Sequence, residues 1–154
     1  MLSGLFLFFF SLSVTSPWAA AIGLESKTAY LARMVSYYPA AVFVNTQLPE
    51  NARVYVLGDQ RGYYYDREVQ ITPIFSKNRF TEWANDSKDA GELRSVLQQA
   101  GVTHIVFNHA EWNRLNRSYP TLRFSTLGEK NWTDLQNHGL KQLYTDSACS
   151  IYAL

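Results

Sequence analysis

Directly after a β-rich run, the sequence reads Gly58-Asp59-Gln60-Arg61-Gly62-Tyr63-Tyr64-Tyr65-Asp66-Arg67, where charges, glycines and aromatic rings converge. Asp59 and Asp66 have the chemistry to hold sugar hydroxyls, and Arg61 and Arg67 offer planar donors suited to a phosphate or carboxylate. Tyr63 and Tyr64 carry rings that stack on a sugar face or rest at a lipid interface. The same residues also suit a purely architectural role. Asp59 fits the cap of a turn, Arg67 fits an ion pair with Asp66 or Asp59, and the tyrosines fit a cover over a sheet edge or a membrane-proximal helix. Paired charges beside strand ends are more often scaffold than site, so the expectation puts architecture first and binding second. Catalysis by Asp59 and Asp66 as acid and base would require both in one crevice with separated pKa values.

Other chemistry is poorly represented. Gly58 to Gly62 follows a strand but does not form G-x-G-x-x-G, and no G-K-S/T phosphate loop or G-x-S-x-G elbow occurs. The lone Cys149 excludes an internal disulfide, and its neighbours suit a small buried side chain in a terminal strand. His104, His109 and His138 are dispersed, whereas a zinc site needs three or four converging ligands. The expectation is therefore no catalytic residue, no metal and no cofactor, with Asp59, Arg61, Tyr63, Tyr64, Asp66 and Arg67 as binding candidates.

These side chains need a scaffold, and the sequence supplies an α/β pattern. Arg53 to Leu57 predicts a strand closed by Gly58, and Glu68 to Thr72 a second one ended by Pro73. Short helices are expected over Arg79 to Ala84 and Glu111 to Asn116. A stronger helix follows Ser87 as cap, with Leu93, Val96, Leu97 and Ala100 as its apolar face and Gly101 as its stop. Val102 to Phe107 then predicts a strand parallel to 53–57 and beside it, by a right-handed crossover. A helix over Trp132 to His138, capped near Asn131, precedes a hairpin of Leu140 to Tyr144 with Cys149 to Leu154. The expected fold is a small three-layer α/β sandwich with a mostly parallel sheet and an antiparallel C-terminal hairpin, occupying residues 49–154. Its ligand crevice would lie at the carboxyl ends of strands such as Leu57 and Phe107.

Ahead of this domain, residues 25–48 predict amphipathic connecting helices broken at Pro39. Residues 1–24 contain no charged side chain, and Leu5 to Phe10 is unbroken apolar, which predicts a transmembrane helix. A signal-like reading has a possible cleavage region in Ala19-Ala20-Ala21 but lacks a positively charged start. In either case the domain lies outside the cytoplasm, with membrane lipid as a partner of the N-terminal segment. A formal charge of +1 without Lys/Arg runs provides no field for recruiting nucleic acid.

Several short motifs carry a family resemblance. They are Tyr30-Leu31-Ala32-Arg33, Tyr37-Tyr38-Pro39-Ala40, Leu48-Pro49-Glu50-Asn51-Ala52-Arg53-Val54, Gly58 to Tyr64, Asp66-Arg67 and Gly101-Val102-Thr103-His104. Together with the apolar segment, they resemble the C-terminal region of bacterial multi-spanning glycosyltransferases of the protein-mannosyltransferase-like type, over nearly the whole chain. Such enzymes use a lipid-phosphate-linked sugar donor and keep catalytic carboxylates in an early extracytoplasmic loop. No such loop occurs in this sequence, so no catalytic residue carries over. The resemblance implies an accessory periplasmic domain at the bacterial inner membrane, either part of a larger enzyme or a detached relative. Its implied partners are a glycosyltransferase catalytic region or a glycan acceptor. A secreted or anchored module that binds carbohydrate or protein is the alternative.

Overall fold

A computed structural model describes residues 17–73, 76–119 and 123–154. Most of the expected transmembrane segment lies outside the described residues. Among the described residues, no helix is long and apolar enough to cross a membrane. The chain divides into two compact units, Met1–Pro39 and Ala40–Leu154.

In the first unit, helix α1 (Trp18–Ala21) is one turn long, and helix α2 (Lys27–Met34) begins at Ser26, whose hydroxyl accepts from the Ala29 amide at 3.1 Å. Arg33 and Glu25 pair at 2.9 Å. The expected break at Pro39 is present, because helix α3 (Tyr38–Gln47), which belongs to the second unit from Ala40 onward, carries that proline in its first turn, where a missing N–H costs no helical bond.

The second unit is built on a five-stranded sheet. In chain order its elements are β1 (Arg53–Leu57), β2 (Glu68–Ile71), α4 (Arg79–Asp86), α5 (Ala90–Gln99), β3 (His104–Asn108) and α6 (His109–Ser118). They continue with α7 (Thr126–Asp134), a π-helical turn (Leu135–Gly139), β4 (Lys141–Thr145) and β5 (Cys149–Ala153). The strand order is β2-β1-β3-β5-β4. β1 pairs in parallel with β2 and β3, and Val56 lies opposite Val106, as the crossover argument requires. β5 pairs antiparallel with both β3 and β4. The sheet is thus mixed rather than mostly parallel, since the terminal hairpin contributes two of its strands.

Side-chain alternation along the strands feeds two faces. Tyr55, Leu57 and Ile105 join Phe80 and Ala84 of α4, Leu93 and Leu97 of α5, and Trp132 and Leu135 in one buried cluster. On the other face Val54, Val56, Val106 and Ile151 are buried. There Phe43 of α3 meets Tyr144, the register partner of Ile151, at 5.0 Å between ring centroids. Helix α3 therefore covers this second face.

Three helix boundaries differ from expectation. Asp89, not Ser87, caps α5: its carboxylate accepts from the Glu92 amide at 2.9 Å while the Glu92 carboxylate accepts from the Lys88 amide at 2.7 Å. Ser87 instead ends α4, its hydroxyl donating to the Trp83 carbonyl at 2.7 Å. Helix α6 starts at His109, without any loop after β3, because Asn108 serves as its cap. Helix α7 begins at Ser125 rather than near Asn131. Its inward face is formed by Gly128 and Asn131 as well as Trp132, so no apolar periodicity marks it. Asn131 is buried inside this helix and donates to the carbonyls of Ala84 and Ser87 at 3.0 and 2.7 Å.

Candidate functional site

The predicted binding segment leaves β1 and separates into two limbs with different anchors. The first limb sits where β1 and β3 end side by side. Gly58 makes the turn at φ +87°, and a Cβ there would lie 2.6 Å from the Asn108 carbonyl oxygen and 2.9 Å from Trp112 Cβ. Only glycine fits both that conformation and that approach. The turn directs Asp59 inward, where it is 4% exposed.

Asp59 is held by five hydrogen bonds. Its Oδ1 accepts from the amides of Gln60 and Arg61 at 2.8 and 2.9 Å and from Arg61 Nε at 2.8 Å. Its Oδ2 accepts from Arg61 Nη2 at 2.8 Å and from Asn108 Nδ2 at 2.7 Å. Asn108 is fully buried, and its Oδ1 accepts from the Glu111 amide at the start of α6. One carboxylate thus ties together its own turn, the end of β3 and, through Asn108, the next helix. With the carboxylate oxygens so occupied, Asp59 is placed as a structural acceptor. Arg61 is half-exposed above it, and Arg114 pairs with Glu111 at 2.6 Å close enough to feel the Arg61 charge.

The second limb docks on α3. Asn45 donates to the Tyr64 carbonyl and accepts from the Asp66 amide, both at 2.8 Å. Arg67 does not pair with Asp66 or Asp59, as the sequence suggested. Its guanidinium donates to the carbonyls of Asn45, Leu48 and Pro49 at 2.8, 3.1 and 3.0 Å. These lie at the C-terminal end of α3, where carbonyls lack helical partners and a cation is favoured, so the helix-end carbonyls prevail over a solvated carboxylate as partners of the guanidinium. Asp66 is exposed, Tyr65 is buried, and Tyr63 is 87% exposed with its ring edge-on to Tyr64 at 5.1 Å. Asp59 with Arg61 and Asp66 with Arg67 therefore serve separate anchors. Arg67→Ala is expected to cost about 2 kcal/mol by leaving helix-end carbonyls unsatisfied, measured as a lower urea midpoint; an unchanged midpoint would count against this capping role.

Sequence reasoning missed Asn108 and Asn45, the two side chains that fix the limbs. The one available signal for Asn108 was its position between a strand and a helix, as an N-cap type.

Cys149 is fully buried at the start of β5, opposite Asn108 in register. Burial and the nearby charges of Asp146 and Asp59 push its thiol up to about 12. Burial and the Asp146 hydrogen bond also push the Tyr144 hydroxyl up. Both raised groups favour the protonated fold. The Cys149 contribution is intact below the ordinary thiol value of 9.0 and is lost as pH rises through about 12. Unfolding stability should fall across that alkaline window, and less steeply in Cys149→Ala; equal slopes would contradict the assignment.

His104 is partly buried, which lowers its pKa, and its Nδ1 lies 2.8 Å from Thr103 Oγ1. Among the described residues, no group of three or more histidine, cysteine or acidic side chains is placed to hold a metal.

The structure is thus an α/β domain with a five-stranded mixed sheet and a cross-linked turn at the carboxyl ends of its central strands. Its fold resembles the crystal structure of the C-terminal globular domain of oligosaccharyltransferase from Archaeoglobus fulgidus. That likeness has a TM-score of 0.52 at 10% sequence identity and covers 79% of this chain and 97% of that one. No protein-family profile matches the sequence, and no curated protein matches it.

Proposed function

We infer that this chain is an accessory domain of a glycosyltransferase-like membrane protein, non-catalytic alone, held on the extracytoplasmic side by its N-terminal apolar segment. The observation that carries this reading is the state of Asp59. The most deeply placed carboxylate of the candidate site already accepts five hydrogen bonds, so the strand-end crest is built to hold a surface in shape. Support for the membrane-enzyme context comes from the fold likeness to a domain of an oligosaccharyltransferase and from the uncharged start of the chain. The implied partner is the catalytic region of such an enzyme or its glycan acceptor.

The test is a sugar-transfer assay on the purified chain with lipid-phosphate-linked and nucleotide-linked donors. No transfer is expected; turnover abolished by Asp59→Asn or Asp66→Asn would replace this reading with catalysis. The second reading, a carbohydrate- or protein-binding module, draws on the exposed Tyr63 ring beside Tyr64. Glycan-array binding that disappears in Tyr63→Ala would favour it.

A further inference from the structure

The two edges of the sheet are built differently. β4 has features that discourage pairing with another chain: Lys141 and Gln142 at its start are exposed, and its register with β5 shifts between Gln142 and Tyr144. β2 contains no lysine, proline or irregularity, and its residues pair in unbroken register with β1. Every second residue of an edge strand turns its amide and carbonyl away from its neighbour. Among the described residues, Glu68 to Ile71 make no backbone hydrogen bond beyond those to β1. A cleft of about 590 Å³ borders Val69 to Thr72, leaving room beside β2 for a second strand.

The two faces of β2 differ in chemistry. A Cβ on Gly62 would lie 2.7 Å from Ile71 Cδ1 and 3.5 Å from Val69 Cγ2, so both apolar side chains lie on the side of the 58–67 turn. Glu68, Gln70 and Thr72 alternate onto the opposite side, where Gln70 Nε2 donates to the Ala100 carbonyl at the end of α5, 3.3 Å away. On this side charge is divided along the edge. Glu68 stands at the start of β2, and its pairing with Arg53 at 3.1 Å joins two side chains that are both more than half exposed, a weak bond in water. Lys77 and Arg79 border the cleft beyond the other end of β2. Lys77 Nζ is 3.9 Å from Glu82, at the outer limit of an ion pair, and Arg79 makes no ion pair among the described residues.

A strand with an acid at one end and cations past the other is complementary to its own antiparallel copy. Opposite residues of an antiparallel pair share a face, so a two-fold axis through Gln70 sets Val69 against Ile71 on the apolar side and Glu68 against Thr72 on the charged side. This register pairs every residue from Glu68 to Thr72 and carries each Glu68 to the end of the strand where the cations lie. We propose that β2 pairs antiparallel with β2 of a second copy of this chain, centred on Gln70, with Glu68 of each copy answering Lys77 and Arg79 of the other. The contact is small, so the pair forms reversibly and depends on concentration. This goes beyond the accessory-domain reading, and because association needs no sugar transfer, either idea can fail without the other.

The experiment is oxidative cross-linking of the full chain in detergent, comparing Gln70→Cys with Glu68→Cys; the native thiol, Cys149, is fully buried and common to both. Opposite residues of an antiparallel pair have Cα atoms about 4.5 to 5.5 Å apart, within reach of a disulfide, so Gln70→Cys should give a reducible dimer. In the same register the two Glu68 positions lie about 13 Å apart along the strands, so Glu68→Cys should remain monomeric. Adding Glu68→Lys to Gln70→Cys should slow dimer formation about tenfold, the loss expected for two symmetry-related exposed ion pairs. Adding Arg79→Glu as well exchanges the signs of the pair and should recover most of the lost rate. Absence of a dimer from Gln70→Cys would overturn the proposal. So would equal linking of Glu68→Cys, which marks random collision or another register, or a charge exchange that recovers nothing.

Discussion

Gly58→Ala should lower the stability of the second unit by about 3 kcal/mol, combining roughly 1 kcal/mol for a non-glycine residue at positive φ with about 2 for overlap. The overlap cannot be relieved by turning a side chain, because the nearest atom is the backbone oxygen of Asn108, 2.6 Å from the new Cβ. Moving that carbonyl disturbs the cap of α6 and, with it, the Asn108 amide that reaches Asp59. Gly101→Ala provides the comparison. Gly101 has φ +78°, but a Cβ there meets the end of the Arg53 side chain, which can swing away. Its expected cost is about 1 kcal/mol, for backbone strain alone. Urea titrations of both variants should separate their midpoints clearly, and equal midpoints would show that the contact with Asn108 is not limiting.

Asp59→Ala is expected to cost about 3 kcal/mol, because it leaves the fully buried Asn108 amide without its acceptor and the turn amides of Gln60 and Arg61 without theirs. Arg61→Ala should cost less than about 1 kcal/mol, since a half-exposed guanidinium exchanges its carboxylate for water. A double-mutant cycle distinguishes the two partners: the coupling of Asp59 to Asn108 should exceed its coupling to Arg61. The reverse order would make Asp59 chiefly an anchor for Arg61 and return the exposed ion pair to consideration as a binding feature. Asp59→Asn should fall between wild type and Asp59→Ala, because one oxygen survives but an amide now faces the Asn108 amide.

Local patterns made much of this fold legible. The β-branched run at Val54 to Val56, the helix ending at Gly101 and the strand after it were enough to place β1 beside β3, and the terminal hairpin followed from its alternation. The break at Pro39 rested on the missing proline N–H. Legibility failed where a polar side chain replaced an apolar one at a packing contact. Asn131 points into the interior of the domain to serve two carbonyls of the α4 end, so the start of α7 resembled a solvated turn. At the candidate site, types and position were readable but partners were not. Arg67 had two acids within easy sequence reach and instead bonds a helix end some twenty residues earlier, while Asp59 finds its partner 49 residues later. Spacing along the chain contains no record of such pairings, because they depend on how the sheet brings its strand ends together.

The accessory-domain account is tested most directly by the DNA sequence immediately upstream of the Met1 codon in the source genome. The account predicts a multi-spanning membrane protein there, in the same frame or in the adjoining gene, with acidic residues in an early extracytoplasmic loop to supply the chemistry. An upstream region that encodes no membrane helices and no such loop would contradict it.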